Sequence, residues 1–279
     1  MGTINELKVK TKTAFRILKS YPISAYEARR NKGKFSDLKR YCMFIGYPRS
    51  GHSLVGSLVD AHPNAIISHE LDILLYFKLG FGKNQLLSII LENSQQYARE
   101  GRANTGYPYM VPNQWQGKFR KLEVIGDKYG DLSTRRILED PTLLDRFTNK
   151  MGLEMKFIHV IRNPYDIIST WAKRRKTSIS EIIPQYFKLA EGNAWLKRRL
   201  GKDVLDVRHE ALIEDPKKEL RKTCEFLDLD ATKDYLEDCA SIIYKKPHKS
   251  RKEAPWTPEL IEEVRERMEK YQFFSDYEY

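Results

Sequence analysis

Residues 41–59 join an apolar run, a short turn rich in Gly, Pro and Ser, and the start of an apolar helical pattern. The run at 41–45 has the length and composition of a buried strand, and the helical pattern begins at Ser53. A strand that passes through a tight loop into a helix N-terminus directs consecutive backbone N–H groups at one point, where they can bind an anion. The segment therefore predicts a loop built for a phosphate or sulfate group.

This loop departs from the phosphate-binding loop of nucleotide kinases at one informative position. Gly46, Gly51 and Ser53 stand where that pattern requires them, but His52 replaces its lysine, and the nearest cation is Arg49. Because the missing lysine contacts the β- and γ-phosphates of ATP, the loop is a poor cradle for ATP. The sequence favours a different ligand that carries phosphate or sulfate.

Strand and helix patterns alternate along the chain. The strand candidates are 41–45, 65–67, 122–126, 156–161 and 203–207. Proline in the first turn after an N-cap residue predicts helices at 164–175, 216–227 and 258–271. Strands that alternate with helices predict an α/β fold, in which a parallel sheet is flanked by helices on both faces.

A chain of 279 residues is most simply one such domain with additions. We expect the domain to cover 41–279 and to follow a basic helical extension at 1–40, in which 4–18 has the pattern of a basic amphipathic helix. Residues 80–121 interrupt the alternation with a helical piece at 83–98 and a long aromatic loop. Long loops of this kind are often lids or binding loops, so we expect this one on the acceptor side of a site. The alternative is a surface excursion whose aromatic side chains pack back on the domain.

Charge and cysteine content narrow the class of protein. The 49 Lys and Arg residues exceed the 38 Asp and Glu residues, which gives a formal charge of +11. This balance suits a polyanionic ligand, a nucleic acid or an acidic membrane surface. The three scattered cysteines predict neither a disulfide framework nor a metal site. No apolar stretch approaches ~20 residues and no signal-peptide core is visible, so we expect a cytoplasmic enzyme without a transmembrane segment.

A second motif places an arginine where a predicted strand ends. The strand at 156–161 leads into Arg162, and a helix begins at Pro164. Ligands of open α/β sheets bind at the carboxyl ends of the strands, where Arg162 can present its planar donor fork to a phosphate. The hydroxyls of Ser169 and Thr170 follow within two helical turns.

Two further segments carry possible ligand contacts. His209 opens the run His-Glu-Ala-Leu-Ile-Glu-Asp-Pro, and basic residues crowd 245–252, up to Arg251 and Lys252. A charge run is usually a solvated face. This one is predicted to lie in a loop, and it can fold over a phosphate.

In this order and spacing, the four motifs resemble those of the sulfotransferases that use 3′-phosphoadenosine 5′-phosphosulfate (PAPS), over about residues 41 to 271. The resemblance implies the P-loop NTPase-like sulfotransferase fold and in-line transfer of a sulfuryl group from PAPS to a hydroxyl or amine, with release of PAP. It also implies that loop backbone N–H groups hold the 5′-phosphosulfate, and that Arg49 stands at the position of a catalytic lysine found in many members. The loop residues concerned are Arg49, Ser50, Gly51, His52 and Ser53.

The resemblance extends to the nucleotide. Arg162 and Thr170 match the residues that bind the 3′-phosphate, and Arg251 and Lys252 resemble the loop that closes over it. His209 falls where a tyrosine often lines the adenine pocket. No metal is required for this reaction, and no ligand cluster in the sequence indicates one.

The general base has three candidates. Glu70 follows the second predicted strand, as the glutamate of carbohydrate-type relatives does, and is favoured. His52 inside the loop and His69 beside Glu70 are the alternatives. In simpler interpretations, Glu70 pairs with an arginine and His52 only donates a hydrogen bond to the sulfate.

The acceptor is less constrained than the donor. Four carboxylates are expected on the acceptor side, at Glu70, Asp72, Asp127 and Asp131. They favour a cationic small molecule, such as an alkaloid or guanidinium compound, and a role in natural-product tailoring. Carbohydrate, phenol and peptidyl-tyrosine acceptors stay open, and the sequence does not indicate an oligomeric state.

Two other functions stay open at this point. A P-loop nucleotide or small-molecule kinase requires a lysine at position 52 and a Mg²⁺ carboxylate, for which Asp127 is the candidate. A basic polyanion-binding module requires only the positive surface. Because the basic residues are spread over the whole chain and no RNA-binding signature occurs, no nucleic-acid partner is expected.

Overall fold

The computed structural model describes residue 17 and residues 19–104 and 106–279. Its strands are β1 (Arg40–Gly46), β2 (Ala65–His69), β3 (Ala103–Asn104), β4 (Tyr107–Pro108), β5 (Val124–Lys128), β6 (Glu154–Ile161) and β7 (Val204–Arg208). Five strands form one sheet in the order β2-β5-β1-β6-β7, and every neighbouring pair in it is parallel. The predicted α/β class and parallel sheet are confirmed.

Helices connect the strands. They are α1 (19–31), α2 (His52–Asp60), α3 (Ile73–Lys78), α4 (Lys83–Arg99), α5 (Gly130–Glu139), α6 (Leu143–Met151), α7 (Pro164–Arg175), α8 (Ile179–Leu200), α9 (His209–Glu214), α10 (Pro216–Leu227), α11 (Lys233–Ser241) and α12 (Pro258–Met268). The helix starts predicted at Pro164, Pro216 and Pro258 are confirmed. The side chain before each proline accepts a hydrogen bond from a backbone N–H of the first turn, as an N-cap residue should. Helix α12 ends before the predicted residue 271.

Both faces of the sheet are buried. On the central strand β1, Cys42 and Phe44 contribute to a hydrophobic cluster with α2, α10 and α11. Tyr41, Met43 and Ile45 contribute to a second cluster with α3, α4 and α6. Alternate residues of a strand point to opposite faces, so helices on both sides require an almost continuous apolar strand. This explains why β1 is recognisable in the sequence as an unbroken apolar run.

The segment 80–121 is more ordered than a long loop. It contains α4, which confirms the predicted helical piece, and the hairpin β3–β4. The buried Asp60 carboxylate ties it to α2, because it pairs with the buried Arg102 and accepts hydrogen bonds from Ser94 Oγ and the Gly117 N–H. A carboxylate and a guanidinium are tolerated in the interior only when they are paired in this way.

The amino-terminal part of the chain is described from residue 19, with residue 17, and is helical as far as residue 31. The amphipathic helix predicted at 4–18 lies outside the described residues apart from residue 17. None of the helices in the described ranges has the length and apolar character needed to cross a bilayer.

Candidate active site

The predicted anion loop lies between β1 and α2. Arg49 and Gly51 both have a left-handed backbone, with φ of 67° and 97°. This conformation costs a residue with a side chain roughly 1–2 kcal/mol, so Arg49 is held there by its surroundings. Position 51 requires glycine, because a Cβ there would lie 2.5 Å from His209 Cδ2. The loop is therefore built around a glycine that lets the backbone approach His209.

A cavity of about 610 Å³ opens above this loop at the carboxyl edge of the sheet. Its lining brings together predicted site residues from four parts of the chain: Arg49, Gly51, His52, Ser53, Glu70, Arg162, Thr170 and His209. The aromatic segment adds Tyr107 and Tyr109, and Tyr244 and His248 come from the basic loop region. Convergence of distant motifs on one concave surface is the arrangement expected of an active site.

A buried lysine connects the loop to the predicted base. Lys128, at the end of β5, is 1% exposed, and its Nζ donates to Ser53 Oγ (2.9 Å) and Glu70 Oε1 (3.2 Å). The His52 ring is close to the same carboxylate, with Nε2 4.0 Å from Glu70 Oε1. On its other side, His52 Nδ1 is 3.2 Å from the Tyr47 carbonyl oxygen. When both ring nitrogens carry a proton, Nδ1 donates to this carbonyl and Nε2 faces the Glu70 carboxylate.

The charges in this cluster are set by burial and by one another. The neighbouring His52 ring and the Lys128 ammonium hold the pKa of the Glu70 carboxyl below its usual range. Burial lowers the pKa of His52 and lowers that of Lys128 to about 8. At neutral pH, Glu70 is therefore ionised, Lys128 is charged, and His52 is neutral and able to accept a proton.

Two of the four carboxylates expected on the acceptor side are elsewhere, and that expectation is wrong for them. Asp127 is fully buried, and its carboxylate accepts hydrogen bonds from the backbone N–H groups of Leu71 and Ile73 at the start of α3. Asp72 forms an ion pair with Arg136. Glu70 and Asp131 do line the cavity.

The third candidate base, His69, is also placed apart from the cavity lining. Its ring stacks on Tyr97, with centroids 4.0 Å apart, and burial lowers its pKa to about 3. In β2, its side chain alternates with that of Ser68, which points to Asp127. His52 and Glu70 are the two base candidates that face the anion loop.

Arg162 joins two loops at the carboxyl end of β6. Its guanidinium donates to the backbone carbonyls of His248 (2.5 Å) and Arg49 (3.5 Å), and its Nε has no partner within the described part of the chain. Thr170, on α7, donates to the Asp166 carbonyl, and its hydroxyl also lies 3.0 Å from Ser250 Oγ. Arg162 and Thr170 both line the cavity, so the structure brings these two predicted site residues together.

The late basic loop contacts α7 in a way that the sequence does not reveal. Arg251 forms an ion pair with Asp166 (2.6 Å), which also accepts a hydrogen bond from the Arg251 backbone N–H. Lys252 is exposed beside it, on the short 3-10 helix Ser250–Glu253. The guanidinium of Arg251 thus fixes the loop against α7, and its charge is already balanced by Asp166.

His209 faces the anion loop from the start of α9. Its side chain is partly buried, its Nδ1 has no hydrogen-bond partner among the described residues, and burial beside Arg162 lowers its pKa to about 3. A neutral imidazole with an orphaned buried nitrogen beside the loop is suited to a ligand atom. Ser169, by contrast, is used internally, because its hydroxyl donates to Tyr165 O and accepts from Trp256 Nε1.

Some residues at the site have no clear signal in the sequence. Lys128, which contacts the cavity residues Ser53 and Glu70, is a single lysine at a strand end, and only its position after an apolar run points to the site. Tyr244 and His248 lie in a basic run that predicts a solvated loop. Only the hydrogen bond from Arg162 to the His248 carbonyl shows that this loop lies at the cavity.

Comparisons with known proteins agree with this geometry. A family model described as "Sulfotransferase domain" matches residues 39–277, which is most of the chain. Solved structures with the same fold include the sulfotransferase STF9 of Mycobacterium avium (11% identity, 91% of this chain and 81% of that chain, TM-score 0.55). They also include a sulfotransferase domain from the curacin biosynthetic pathway (16% identity, 85% and 99% covered, TM-score 0.54). A search of curated protein sequences found no match. The predicted sulfotransferase fold is confirmed, and the chain belongs to the sulfotransferase family.

Proposed function

We propose that the protein transfers a sulfuryl group from PAPS to a hydroxyl or amine of a small-molecule acceptor and releases PAP. The observation that carries the proposal is the cavity in which the anion loop, Arg162 with Thr170, and the His52–Glu70 pair meet, with the buried Lys128 bonded to Glu70. Family membership supports sulfuryl transfer. The orphaned nitrogens Arg162 Nε and His209 Nδ1 support a polar ligand, and the cavity volume of about 610 Å³ is within the range of small-molecule sites.

The loop and two cations are suited to hold the 5′-phosphosulfate. Backbone N–H groups from Ser50 to Ser53 lie at the N-terminus of α2, where an anion is stabilised by the helix dipole. Arg49 lines the cavity and stays protonated, and Lys128 reaches Ser53 from below. As in phosphoryl transfer, such groups act by positioning the reactants in line and by stabilising charge on the leaving oxygen.

The 3′-phosphate is assigned to the other end of the cavity. Arg162 and Thr170 offer a guanidinium and a hydroxyl there, and Lys252 lies on the adjoining loop. We assign Arg251 a positioning role, because its ion pair with Asp166 holds the loop beside Thr170. His209 faces the same space and is assigned to the nucleoside.

His52 is the base in this proposal, with Glu70 as its partner. The lowered pKa values support this division, since ionised Glu70 is a weak base and His52 is neutral. When His52 Nε2 takes the acceptor proton, the Tyr47 carbonyl and the Glu70 carboxylate lie on its two sides and stabilise the imidazolium. Asp131 lines the same cavity and adds negative charge on this side.

We propose that residues 80–121 cover the acceptor side of the cavity. This segment belongs to the proposed domain at 41–279, which follows a helical extension at 1–40. Tyr107 supports this role, because its hydroxyl donates to the Ile242 carbonyl and its ring packs edge-on against Tyr244 at 4.7 Å. This contact closes one side of the cavity with aromatic rings. Natural-product tailoring is one use of such a covered site, and acceptor screening tests it.

Calorimetric titration of the intact protein with PAP, AMP and ATP·Mg²⁺ tests the proposal. PAP is expected to bind at least ~10-fold more tightly than AMP, because the 3′-phosphate adds charge-assisted hydrogen bonds to Arg162. An Arg162→Gln variant should lose this difference while it still binds AMP. Binding of ATP·Mg²⁺ without binding of PAP would overturn the proposal in favour of a kinase.

A further inference from the structure

A second, smaller groove of about 270 Å³ adjoins the active site. Its two walls are the amino-terminal helix α1 and the helix α4, and its floor includes Leu71 and Tyr76. Glu70 lines both this groove and the cavity above the anion loop, and its side chain is 40% exposed. A molecule that reaches Glu70 from the active site can therefore extend between the two helices.

The charge of this groove is opposite to that of the rest of the chain. Three carboxylates line it, at Glu27, Glu70 and Glu92, and the described lining residues include no lysine or arginine. The whole chain carries a formal charge of +11, and the donor side of the active site contains Arg49 and Arg162. The groove therefore repels the anionic donor and attracts a cation.

Two of these carboxylates have partners that a ligand can replace. Glu27 pairs with Arg30 at 3.2 Å, and Glu92 pairs with Arg99 at 2.8 Å. Both arginine side chains are more than half exposed. Exposed ion pairs contribute little free energy, so a bound ammonium group can compete with them.

An independent observation indicates that the groove takes a polar ligand. Ser88, on α4, lines it and is 2% exposed, and its hydroxyl has no hydrogen-bond partner among the described residues. Buried hydroxyls almost always have a partner, so an unpaired one facing a groove marks the place of a missing polar atom. The side chains of Ile23 and Ile89 line the same groove and can contact the methylene groups of a chain.

We propose that the groove between α1 and α4 binds the non-reacting half of the acceptor, an amine on an apolar chain. The ammonium group lies between Glu27 and Glu92 and donates a hydrogen bond to Ser88 Oγ, and the reacting hydroxyl passes Glu70 to His52. This inference rests on the proposed function, because it assigns the acceptor class of that same site.

Calorimetric titration of the PAP-loaded protein with aminohexanol and with hexanol tests the inference. Aminohexanol is expected to bind about 10-fold more tightly, as a charge-assisted contact would give. Glu92→Gln and Glu27→Gln should each reduce that preference, and Ser88→Ala should weaken binding. Glu225→Gln, an exposed change on α10, is the matched control and should have no effect.

The outcomes separate this inference from the proposed function. If PAP itself does not bind, the proposed function fails and the inference fails with it. If PAP binds but aminohexanol binds no better than hexanol, or if Glu92→Gln leaves its binding unchanged, the inference is wrong and the proposed function stands. Amine binding that responds to the glutamate variants supports both.

Discussion

Replacement of the buried Lys128 by methionine is expected to make the fold more stable and the enzyme much slower. The lysine pKa falls from 10.5 to about 8 in the folded protein because burial disfavours the charged form. Since each pKa unit is worth about 1.4 kcal/mol, the charged lysine costs the fold about 3 kcal/mol. Methionine has a similar volume and no charge, so it should recover up to that amount.

The same change removes a cation from the anion loop. Lys128 donates to Ser53 and Glu70, and loss of one preorganised donor typically lowers kcat by ~10²–10³-fold. Glu70 also loses a partner. It is partly exposed, so this loss should offset the gain in stability by less than ~1 kcal/mol.

Urea unfolding at several pH values, with PAP release as the activity assay, measures both effects. Below pH 8 the full cost of the charged lysine is present, and the variant should exceed the wild type in stability. Between pH 8 and 10.5 the unfolded chain binds this proton and the folded chain does not, so the wild type should gain stability and the difference should shrink.

A matched variant separates this account from a general effect of lysine removal. Lys156 is also largely buried, but its ion pairs with Asp203 and Glu154 outweigh burial and raise its pKa. Lys156→Met should therefore destabilise the fold and leave kcat unchanged. A Lys128→Met protein that is less stable than the wild type and equally active would refute the reasoning.

Three other changes test separate parts of the site. Gly51→Ala should abolish PAP binding in a titration, because a Cβ there meets His209 at 2.5 Å and φ is +97°. The control Gly33→Ala has open space around its Cβ and should bind PAP normally. Asp60→Asn should lower the free energy of unfolding in urea by about 3–5 kcal/mol, since it leaves the buried Arg102 without a counterion. An unchanged midpoint would show that hydrogen bonds to neutral groups such as Ser94 are enough for Arg102. Because burial lowers the pKa of His52 below 6.5, the acid limb of a kcat–pH profile should lie below pH 6.5. His52→Gln should remove this limb together with most of the activity. If the limb persists in the variant, it belongs to another group.

The sequence was most informative where function and fold depend on local order. Five apolar runs predict the strands of the parallel sheet, because both faces of these strands are buried. The anion loop and Arg162 are visible because each follows a strand directly. Parallel strands bring their carboxyl ends to one edge, so motifs far apart in the chain meet there without any further signal.

The remaining site residues depend on pairings that span long stretches of chain. Asp127 and Asp72 are carboxylates near a predicted site, but both are already bound within the fold. Asp127 accepts a hydrogen bond from the first backbone N–H of α3, and Asp72 pairs with the distant Arg136. Arg251 is likewise neutralised by Asp166, which lies on another helix. A pattern of charges in a sequence does not show which charges are already paired, and this is why the acceptor-side expectation failed in part.

The choice of base depends on geometry in the same way. Glu70 and His52 are both plausible from their positions in the chain, and only the contact between them decides which holds the proton. The buried Lys128 and the His52 ring on Glu70 favour its ionised form, whereas the Tyr47 carbonyl orients His52. No sequence pattern records these distances.

The most direct test of sulfuryl transfer follows labelled sulfur from PAPS into an acceptor. The intact protein is incubated with PAPS radiolabelled at the sulfate sulfur and a panel of alcohols, phenols and amines, and the labelled products are separated from sulfate. The account predicts a labelled organic product whose formation requires Arg49 and is inhibited by PAP. If no acceptor is labelled from PAPS while ATP labelled at its γ-phosphate does label the panel, the protein is a kinase and the account is wrong.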